Sequence, residues 1–226
     1  MFAAIPRSYA IRKEKLMSEY QIRSLVVGTM ETNCYIVKDT KTGDAVVIDP
    51  GDNVTVILDG LHRMGARLRA ILLTHGHFDH ILAVGDLRDY NIPVCIHKAD
   101  AHLLTERDVF SSMIPYDPRP FAPADFLFEK EGQYTVGGLT FYLLHSPGHT
   151  KGSVCYQFGD NLFTGDTLFR GAVGTLQFGG DEQDMNRSLK MLCSLPGDYT
   201  VYPGHYAKTT LSDELDTNPF LKPFRR

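Results

Sequence analysis

The sequence lacks the features that mark membrane proteins and nucleic-acid-binding proteins. No apolar run reaches the roughly eighteen residues that a membrane-spanning helix needs. The formal net charge of −4 provides no basic surface for a nucleic acid. The chain also has no repeat of fixed period and no low-complexity linker. We therefore expect a globular protein without membrane or nucleic-acid partners, and the 43% hydrophobic content is enough for a sizeable core.

Cysteine is scarce, and its spacing excludes two common structural uses. The four cysteines are widely separated and form no Cys-x-x-Cys pair: Cys34, Cys95, Cys155 and Cys193. This spacing is unlike that of a disulfide framework or of a cysteine-based zinc site. We expect reduced, mostly buried thiols and a cytoplasmic location.

The first sixteen residues differ in composition from the rest. They contain one acidic residue, Glu14, against four basic ones, and Pro6 interrupts their apolar run before it reaches signal-peptide length. Met17 offers an alternative start just ahead of the first predicted strand. We predict that residues 1–16 are a dispensable leader, in preference to a targeting signal, and that residues 17–226 form a single domain.

Histidine and aspartate are concentrated in one short segment. Three imidazoles and one carboxylate fall within six consecutive residues, His75 to His80, directly after the apolar run Ala70–Leu73. Imidazole nitrogen and carboxylate oxygen are the usual ligands of zinc and of non-haem iron. Gly76 and the irregular backbone after a strand allow alternate side chains to turn toward one point. The segment therefore predicts a metal site.

Strand-type and amphipathic segments alternate along the chain. Strands are predicted at Gln21–Val26, Asn33–Val37, Ala45–Ile48, Leu68–Thr74, Pro93–His97, Tyr134–Val136, Leu139–Leu144, Ser153–Phe158, Asn161–Thr164 and Tyr199–Tyr202. Helices are predicted at Val54–Met64, Ile81–Tyr90, Ala99–Thr105 and Glu182–Leu195, with a helical turn near the C-terminus. The proline-rich segment Ser111–Pro123 is predicted to be an irregular loop. Two halves of similar content predict two sheets packed face to face, with helices outside.

Three more candidate ligands lie just beyond predicted strands, and each follows a glycine: His149, Asp166 and His205. A strand end is a rigid place from which to aim a ligand. Glycine permits the tight turn and the close backbone approach that such a site needs. We expect these three side chains to complete the metal site.

Together these motifs resemble the metallo-β-lactamase superfamily, whose signature is His-x-His-x-Asp-His followed by histidine, aspartate and histidine. The resemblance runs from about Val26 to Pro219. Within the superfamily, the motif sequences are similar to those of the hydroxyacylglutathione hydrolase (glyoxalase II) group and its single-domain bacterial relatives. The matching segments are Thr32–Tyr35, Ile48–Gly51, Ser146–Thr150, Phe163–Phe169, Tyr202–His205 and Thr217–Phe220. The fold that this resemblance implies is α/β (α+β), a four-layer αβ/βα sandwich.

The resemblance implies two divalent metal ions, with zinc favoured over iron or manganese. It assigns three ligands to the first ion, three to the second and one bridging carboxylate, in this order: His75, His77 and His149; Asp79, His80 and His205; Asp166. Two such ions lower the pKa of a shared water and polarise a substrate carbonyl. Asp79 and Asp166 are therefore the expected catalytic residues.

The remaining histidines are not expected to bind metal: His62, His97, His102 and His145. Asp49 has two interpretations that the sequence does not separate. Its carboxylate can anchor a ligand histidine from behind, or it can cap the turn before Pro50.

The function implied by the resemblance is hydrolysis of a thioester or related ester, as in glyoxalase II. Glutathione specificity is not secure, because Thr175 stands where relatives carry a basic residue, and because 21 residues after His205 leave no room for the C-terminal domain of full-length enzymes. Lys151 or Lys208 could supply the missing positive charge, or both could be ordinary surface lysines.

Two alternative functions remain, and a third is not expected. A mononuclear iron persulfide dioxygenase of the same superfamily would use His75, His149 and Asp166. A scaffold protein on the same fold would have lost some ligands, whereas all seven are present. A secreted β-lactamase is not expected, because position 166 is aspartate and no signal peptide is evident.

Overall fold

The computed structural model describes residues 19–106 and 122–225. The first sheet contains β1 Tyr20–Val27, β2 Thr32–Asp39, β3 Asp44–Ile48, β4 Arg67–Leu72, β5 Val94–His97 and β6 Phe126–Phe128. The second sheet contains β7 Gly132–Val136, β8 Leu139–His145, β9 Val154–Phe158, β10 Asn161–Gly165, β11 Thr200–Pro203 and β12 Thr209–Thr210. The α-helices are α1 Val54–Met64, α2 Val84–Arg88, α3 Glu182–Cys193 and α4 Leu211–Thr217. The predicted leader, residues 1–16, lies outside the described residues.

The order of strands places many strand ends at one edge of each sheet. The first sheet has the order β1-β2-β3-β4-β5-β6, with antiparallel pairs up to β3 and parallel pairs from β3 to β6. The second sheet has the order β12-β11-β10-β9-β8-β7, and only its β10–β11 pair is parallel. Strands β8, β10 and β11 consequently run in the same direction. The carboxyl ends of β3, β4 and β5, and those of β8, β10 and β11, are where loops can gather side chains.

The main core lies between the two sheets and draws side chains from both. Strand β2 shows how the sequence divides its apolar residues. Tyr35 and Val37 face the other sheet, whereas Cys34 and Ile36 face α1. Successive side chains of a strand point to opposite faces, so a strand covered on both sides is apolar throughout.

Helices cover the outer faces of both sheets. In α1 the buried residues Ile57, Gly60, Leu61 and Met64 recur at helical spacing. Helix α3 begins where the Asp181 carboxylate accepts a hydrogen bond from the Asp184 backbone N–H, and it packs Met185, Leu189 and Leu192 on the second sheet. The result is the predicted αβ/βα sandwich. No helix among the described residues is long and apolar enough to cross a bilayer.

Several predicted elements differ from the structure. Helix α2 begins three residues later than predicted and ends two earlier, because the chain first forms a 3₁₀ turn at Phe78–His80 and the Ala83 N–H then donates to the Pro50 carbonyl. The segment predicted as a helix at Ala99–Thr105 is a 3₁₀ helix, Lys98–Leu104. The short edge strands β6 and β12 were not predicted. Most of the proline-rich segment lies outside the described residues.

Candidate metal centre

The first cluster of predicted ligands lies in the loop that follows β4. His75 and His80 are fully buried, and His77 is nearly so. Strand β4 ends at Leu72, two residues earlier than predicted. The Thr74 backbone N–H donates to Asp49 Oδ1 at 2.8 Å, so side-chain contacts hold this loop where sheet pairing stops.

The other three predicted ligands lie on loops after β8, β10 and β11 of the second sheet. The turns between strand and ligand require glycine at two places. Gly165 has φ +47°, a backbone conformation that other residues rarely adopt. A Cβ atom at Gly204 would lie 2.1 Å from Asp166 Oδ1, so a side chain there would displace the carboxylate. These two glycines explain why Asp166 and His205 each directly follow one.

The structure brings all seven predicted ligands together. Atoms able to bind a metal lie within 4.8 Å of one another in each of three groups: His75, His77 and His149; Asp79, His80 and His205; His75, His80 and Asp166. The first two groups match the two expected sets.

Asp166 lies between the two sets of ligands. Its Oδ1 atom is 3.4 Å from His80 Nε2, and its Oδ2 atom is 3.4 Å from His149 Nε2. Oδ2 is also 3.6 Å from His205 Nε2. One carboxylate thus contacts histidines of both sets, which is the arrangement required of a bridging ligand.

Unpaired polar atoms in the cluster test whether a metal fits. His75 Nε2, His80 Nε2 and Asp166 Oδ1 are buried and have no hydrogen-bond partner. Buried polar atoms are normally paired, since an unpaired one costs about 1–3 kcal/mol. A donor set of five imidazoles and two carboxylates suits zinc or iron. These residues fit divalent metal ions.

The protonation states of the cluster also suit metal binding. Burial, reinforced by the neighbouring imidazoles, holds the pKa of His75 well below its usual value. Burial likewise lowers the pKa of His77 to about 4. Both rings are neutral at pH 7 and therefore have a free lone pair for a metal.

Opposite charges dominate at the carboxylate side of the cluster. Burial would lower the pKa of His80, but the carboxylates of Asp79 and Asp166 outweigh it and raise this pKa well above its usual value. Burial would raise the pKa of Asp166, but neighbouring imidazoles led by His80 outweigh it and lower this pKa. A concentrated negative charge beside imidazoles is what a cation would neutralise.

Asp49 anchors a ligand histidine, which decides between its two interpretations. Its Oδ2 atom is 3.0 Å from His80 Nδ1 and accepts a hydrogen bond from Thr74 Oγ1 at 2.7 Å. The carboxylate thus fixes the His80 ring and leaves Nε2 directed at the cluster. Turn capping alone does not account for these contacts.

Three supporting residues were missed by the sequence analysis. Thr32 Oγ1 donates to Asp79 Oδ2 at 2.8 Å. Asn33 Nδ2 donates to the carbonyls of Pro203 and Tyr206, beside His205. A signal was available for both, because they belong to a segment on which the family resemblance rests.

The third missed residue is Asp100, a buried carboxylate in the 3₁₀ helix after β5. It accepts hydrogen bonds from the backbone N–H of Gly76, from Thr150 Oγ1 and from the backbone N–H of Gly152. It therefore joins the His75 loop to the His149 loop. An aspartate just beyond the end of a parallel strand could have been added to the candidates.

Thr175 contacts the cluster through its backbone and not through its side chain. Its carbonyl accepts a hydrogen bond from His149 Nδ1 at 2.7 Å, and so orients the ring. Lys151 and Lys208 are both exposed. Neither lysine has a contact that assigns it to a substrate.

The histidines that were not expected to bind metal lie in none of the three groups. His97 and His145 stack on each other, with centroids 4.2 Å apart and an interplanar angle of 20°. His145 Nε2 is 3.0 Å from the Lys151 carbonyl. The four cysteines are free, and Cys34, Cys95 and Cys155 are buried, as predicted.

The likeness to known proteins covers this whole arrangement. Residues 27–205 match the family described as "Metallo-beta-lactamase superfamily". The chain belongs to the metallo-β-lactamase superfamily. One curated member, the "Probable metallo-hydrolase YqgX" of Bacillus subtilis (strain 168), is 34% identical over 89% of this chain and 98% of its own length.

Solved structures of similar proteins have the same fold. BLEG-1, described as a B3 metallo-beta-lactamase, is 37% identical with a TM-score of 0.83 and covers 89% of this chain and 99% of its own. TTHA1623, solved in a di-iron-bound form, is 37% identical with a TM-score of 0.77, over 88% of this chain and 99% of its own. ETHE1 from Myxococcus xanthus is 29% identical with a TM-score of 0.72, over 88% and 83%. The chain is thus a superfamily member similar to a probable metallo-hydrolase, and one similar solved structure contains two iron ions.

Proposed function

We propose that the chain is a thioester hydrolase that works with two divalent metal ions, preferably zinc. The observation that carries this proposal is the pair of ligand groups with Asp166 between them. His75, His77 and His149 would hold one ion. Asp79, His80 and His205 would hold the other. When bound, such ions lower the pKa of a water and polarise a carbonyl.

The residues of the chain position and charge the site. Asp79 accepts a hydrogen bond from Thr32 Oγ1. In the metal-free protein the neighbouring imidazoles, led by His80, lower the pKa of Asp79 against the effect of burial, and a bound cation would favour the ionised carboxylate in the same way. An ionised carboxylate can accept a hydrogen bond from an attacking water and orient it. Asp49 and the Thr175 carbonyl fix the rings of His80 and His149. The site therefore needs little reorganisation before reaction.

A thioester is the substrate class that needs the least acid assistance from the residues of this site. The leaving thiol ionises near pKa 8.5, so its departure as a thiolate needs little assistance from an acid. The similarity of the motif sequences to those of glyoxalase II also supports a thioester substrate. We propose a small-molecule thioester as partner and the cytoplasm as location, which the free buried thiols fit.

Hydrolysis of β-lactams is a second candidate, favoured by the likeness to BLEG-1. It would use the same kind of site, because both reactions add water to a carbonyl carbon and break its bond to a leaving group, sulfur in a thioester and nitrogen in a β-lactam. The two activities differ in substrate and can be measured side by side.

The test compares four assays on metal-loaded protein: lactoylglutathione hydrolysis, S-acetyl-N-acetylcysteamine hydrolysis, cephalosporin hydrolysis and oxygen consumption with glutathione persulfide. We expect thioester turnover that a chelator abolishes and that zinc restores. Cephalosporin turnover without thioester turnover would replace the proposal by the β-lactam candidate. Oxygen uptake with one bound iron would replace it by persulfide oxidation.

A further inference from the structure

Tyr206, the residue after the ligand His205, has an unusual backbone conformation. Its φ angle is +67°. Among the described residues, the other non-glycine residues with positive φ are Glu31, Asp49, Asn53 and Asn91. Asparagine and aspartate tolerate this region, whereas a bulky aromatic residue there is a true outlier. Tyr206 therefore carries backbone strain that a glycine would not.

The hydrogen bonding of Tyr206 explains its backbone but not its side chain. Its carbonyl accepts a hydrogen bond from Asn33 Nδ2 at 2.8 Å. Any residue provides that carbonyl, and glycine would provide it without strain. The Tyr206 residue is 68% exposed, so the ring is not retained for burial in the core. The fold alone leaves the aromatic side chain without a reason.

The ring instead belongs to a series of aromatic contacts that begins at the candidate ligand His205. Tyr206 and Phe169 have centroids 5.5 Å apart at 71°, and Phe169 and His205 have centroids 5.8 Å apart at 90°. Phe169 is 6% exposed, so the Tyr206 ring packs against a buried aromatic neighbour. An exposed ring thus stands beside a ligand of the site, on a fixed support. Strained residues of this kind concentrate where a protein contacts its ligand.

We propose that Tyr206 is a specificity-determining residue, whose ring binds a flat apolar group of the substrate beside His205. This inference rests on the proposed function and adds the substrate class, a thioester with an aromatic or similarly flat apolar part. The ring face favours such a group over a small or anionic one. The flat group can belong to the acyl part or to the thiol part, and the experiment separates these two sources.

The experiment compares three thioesters on the metal-loaded enzyme. S-Acetyl-N-acetylcysteamine is the reference, S-phenylacetyl-N-acetylcysteamine carries the ring on the acyl part, and S-benzyl thioacetate carries it on the thiol part. We expect one of the two aromatic thioesters to exceed the reference in kcat/KM by about fivefold or more, in line with the energy of an aromatic contact. The difference should lie in KM.

Three substitutions at Tyr206 separate the ring from the backbone. Tyr206→Phe keeps the ring and should keep the preference. Tyr206→Asn and Tyr206→Gly remove the ring yet suit a positive φ, so both should fold, and the ratio of aromatic to reference kcat/KM should fall about fivefold. Tyr90→Asn, at a residue that is 58% exposed and belongs to neither ligand set, is the matched control and should leave the ratio unchanged.

Two outcomes would overturn the inference while leaving thioester hydrolysis in place. One is a wild-type enzyme without preference for either aromatic thioester. The other is an equal ratio in wild type, Tyr206→Asn and Tyr206→Gly. If the wild type hydrolyses no thioester, the proposed function fails instead. Calorimetric binding of phenylacetate, benzyl mercaptan and acetate to wild type and Tyr206→Asn then tests the ring, and equal affinities in the two proteins would overturn it.

Discussion

At the scale of single residues, the candidate metal centre depends on side chains that bind no metal themselves. Asp49 holds His80, Thr32 holds Asp79, and the Thr175 carbonyl holds His149. Such supporting contacts set the tautomer and direction of each ligand, and their loss typically weakens metal binding by about 10–100-fold. The ligands are thus placed before a metal arrives.

Asp100 is a supporting residue that accepts three hydrogen bonds, and its removal should be costly. Asp100→Ala leaves the buried N–H groups of Gly76 and Gly152 without an acceptor, and it removes one of the two partners of Thr150 Oγ1. We expect the free energy of unfolding to fall by about 2–4 kcal/mol and metal affinity to fall at least tenfold. Urea denaturation of the metal-free protein and a competitive zinc titration measure these two effects separately.

Asp59→Ala is the control for this substitution. Asp59 forms an exposed ion pair with Arg63, and its loss should change stability by less than about 0.5 kcal/mol. Equal stability and equal metal affinity in Asp100→Ala and Asp59→Ala would refute the role given to Asp100.

That the seven candidate ligands lie together could be predicted from the sequence, whereas the residues that support them largely could not be. His75 to His80 form a dense local cluster, and His149, Asp166 and His205 each follow a strand and a glycine. Thr32 and Asp100 act across 47 and 50 residues of chain, on Asp79 and Thr150 respectively. A single hydroxyl or carboxylate at such a distance leaves no local pattern.

At the scale of elements, the two sheets also meet outside the metal centre. His97, at the end of β5, stacks on His145, at the end of β8. His97 Nδ1 accepts a hydrogen bond from the Ala99 N–H and so caps the 3₁₀ helix that carries Asp100. Burial lowers the pKa of His97 to about 4, and electrostatic repulsion from His145 and Lys98 contributes to this shift.

This lowered pKa predicts a pH-dependent loss of stability. Unfolded His97 has a pKa near 6.5, so between about pH 6.5 and pH 4 the unfolded chain binds more protons than the folded one. The contribution of His97 is therefore complete above that window and is lost as pH falls through it. We expect a loss of about 1–2 kcal/mol by pH 4.5, less than the full shift because solvent near the exposed Lys98 screens the charge.

The measurement is the free energy of unfolding of metal-free protein at pH 7.5 and pH 4.5, for wild type and His97→Asn. Asparagine can still accept the Ala99 hydrogen bond but does not titrate. The variant should show the smaller loss between the two pH values. An equal loss in both proteins would mean that His97 does not titrate in this window.

Element prediction succeeded where the sequence pattern is local and failed where tertiary contacts decide. The helix Val54–Met64 was predicted to the residue, since its apolar spacing and the stop at Gly65 lie within the segment. Helix α2 was predicted too long, because the Pro50 carbonyl and the 3₁₀ turn of Phe78–His80 delay its start. Strands β6 and β12 were missed because three-residue and two-residue strands carry no periodicity.

At the scale of the whole molecule, the candidate metal centre lies where loops of the two sheets meet. The His75–His80 loop belongs to the first sheet, and the loops of His149, Asp166 and His205 belong to the second. The shared core between the sheets brings these loops together. The sandwich could be predicted from the strand and helix content of the two halves, but the register of the sheets could not, because it depends on pairings far apart in sequence.

We propose that seven residues from both sheets hold two metal ions, with Asp166 shared between them. Elemental analysis of purified protein, after saturation with zinc and removal of excess metal, tests this proposal in wild type and Asp166→Ala. We expect two tightly held ions per chain in wild type and the loss of at least one in Asp166→Ala, with circular dichroism unchanged. One ion in the wild type, or two ions held equally tightly without Asp166, would refute the dinuclear site.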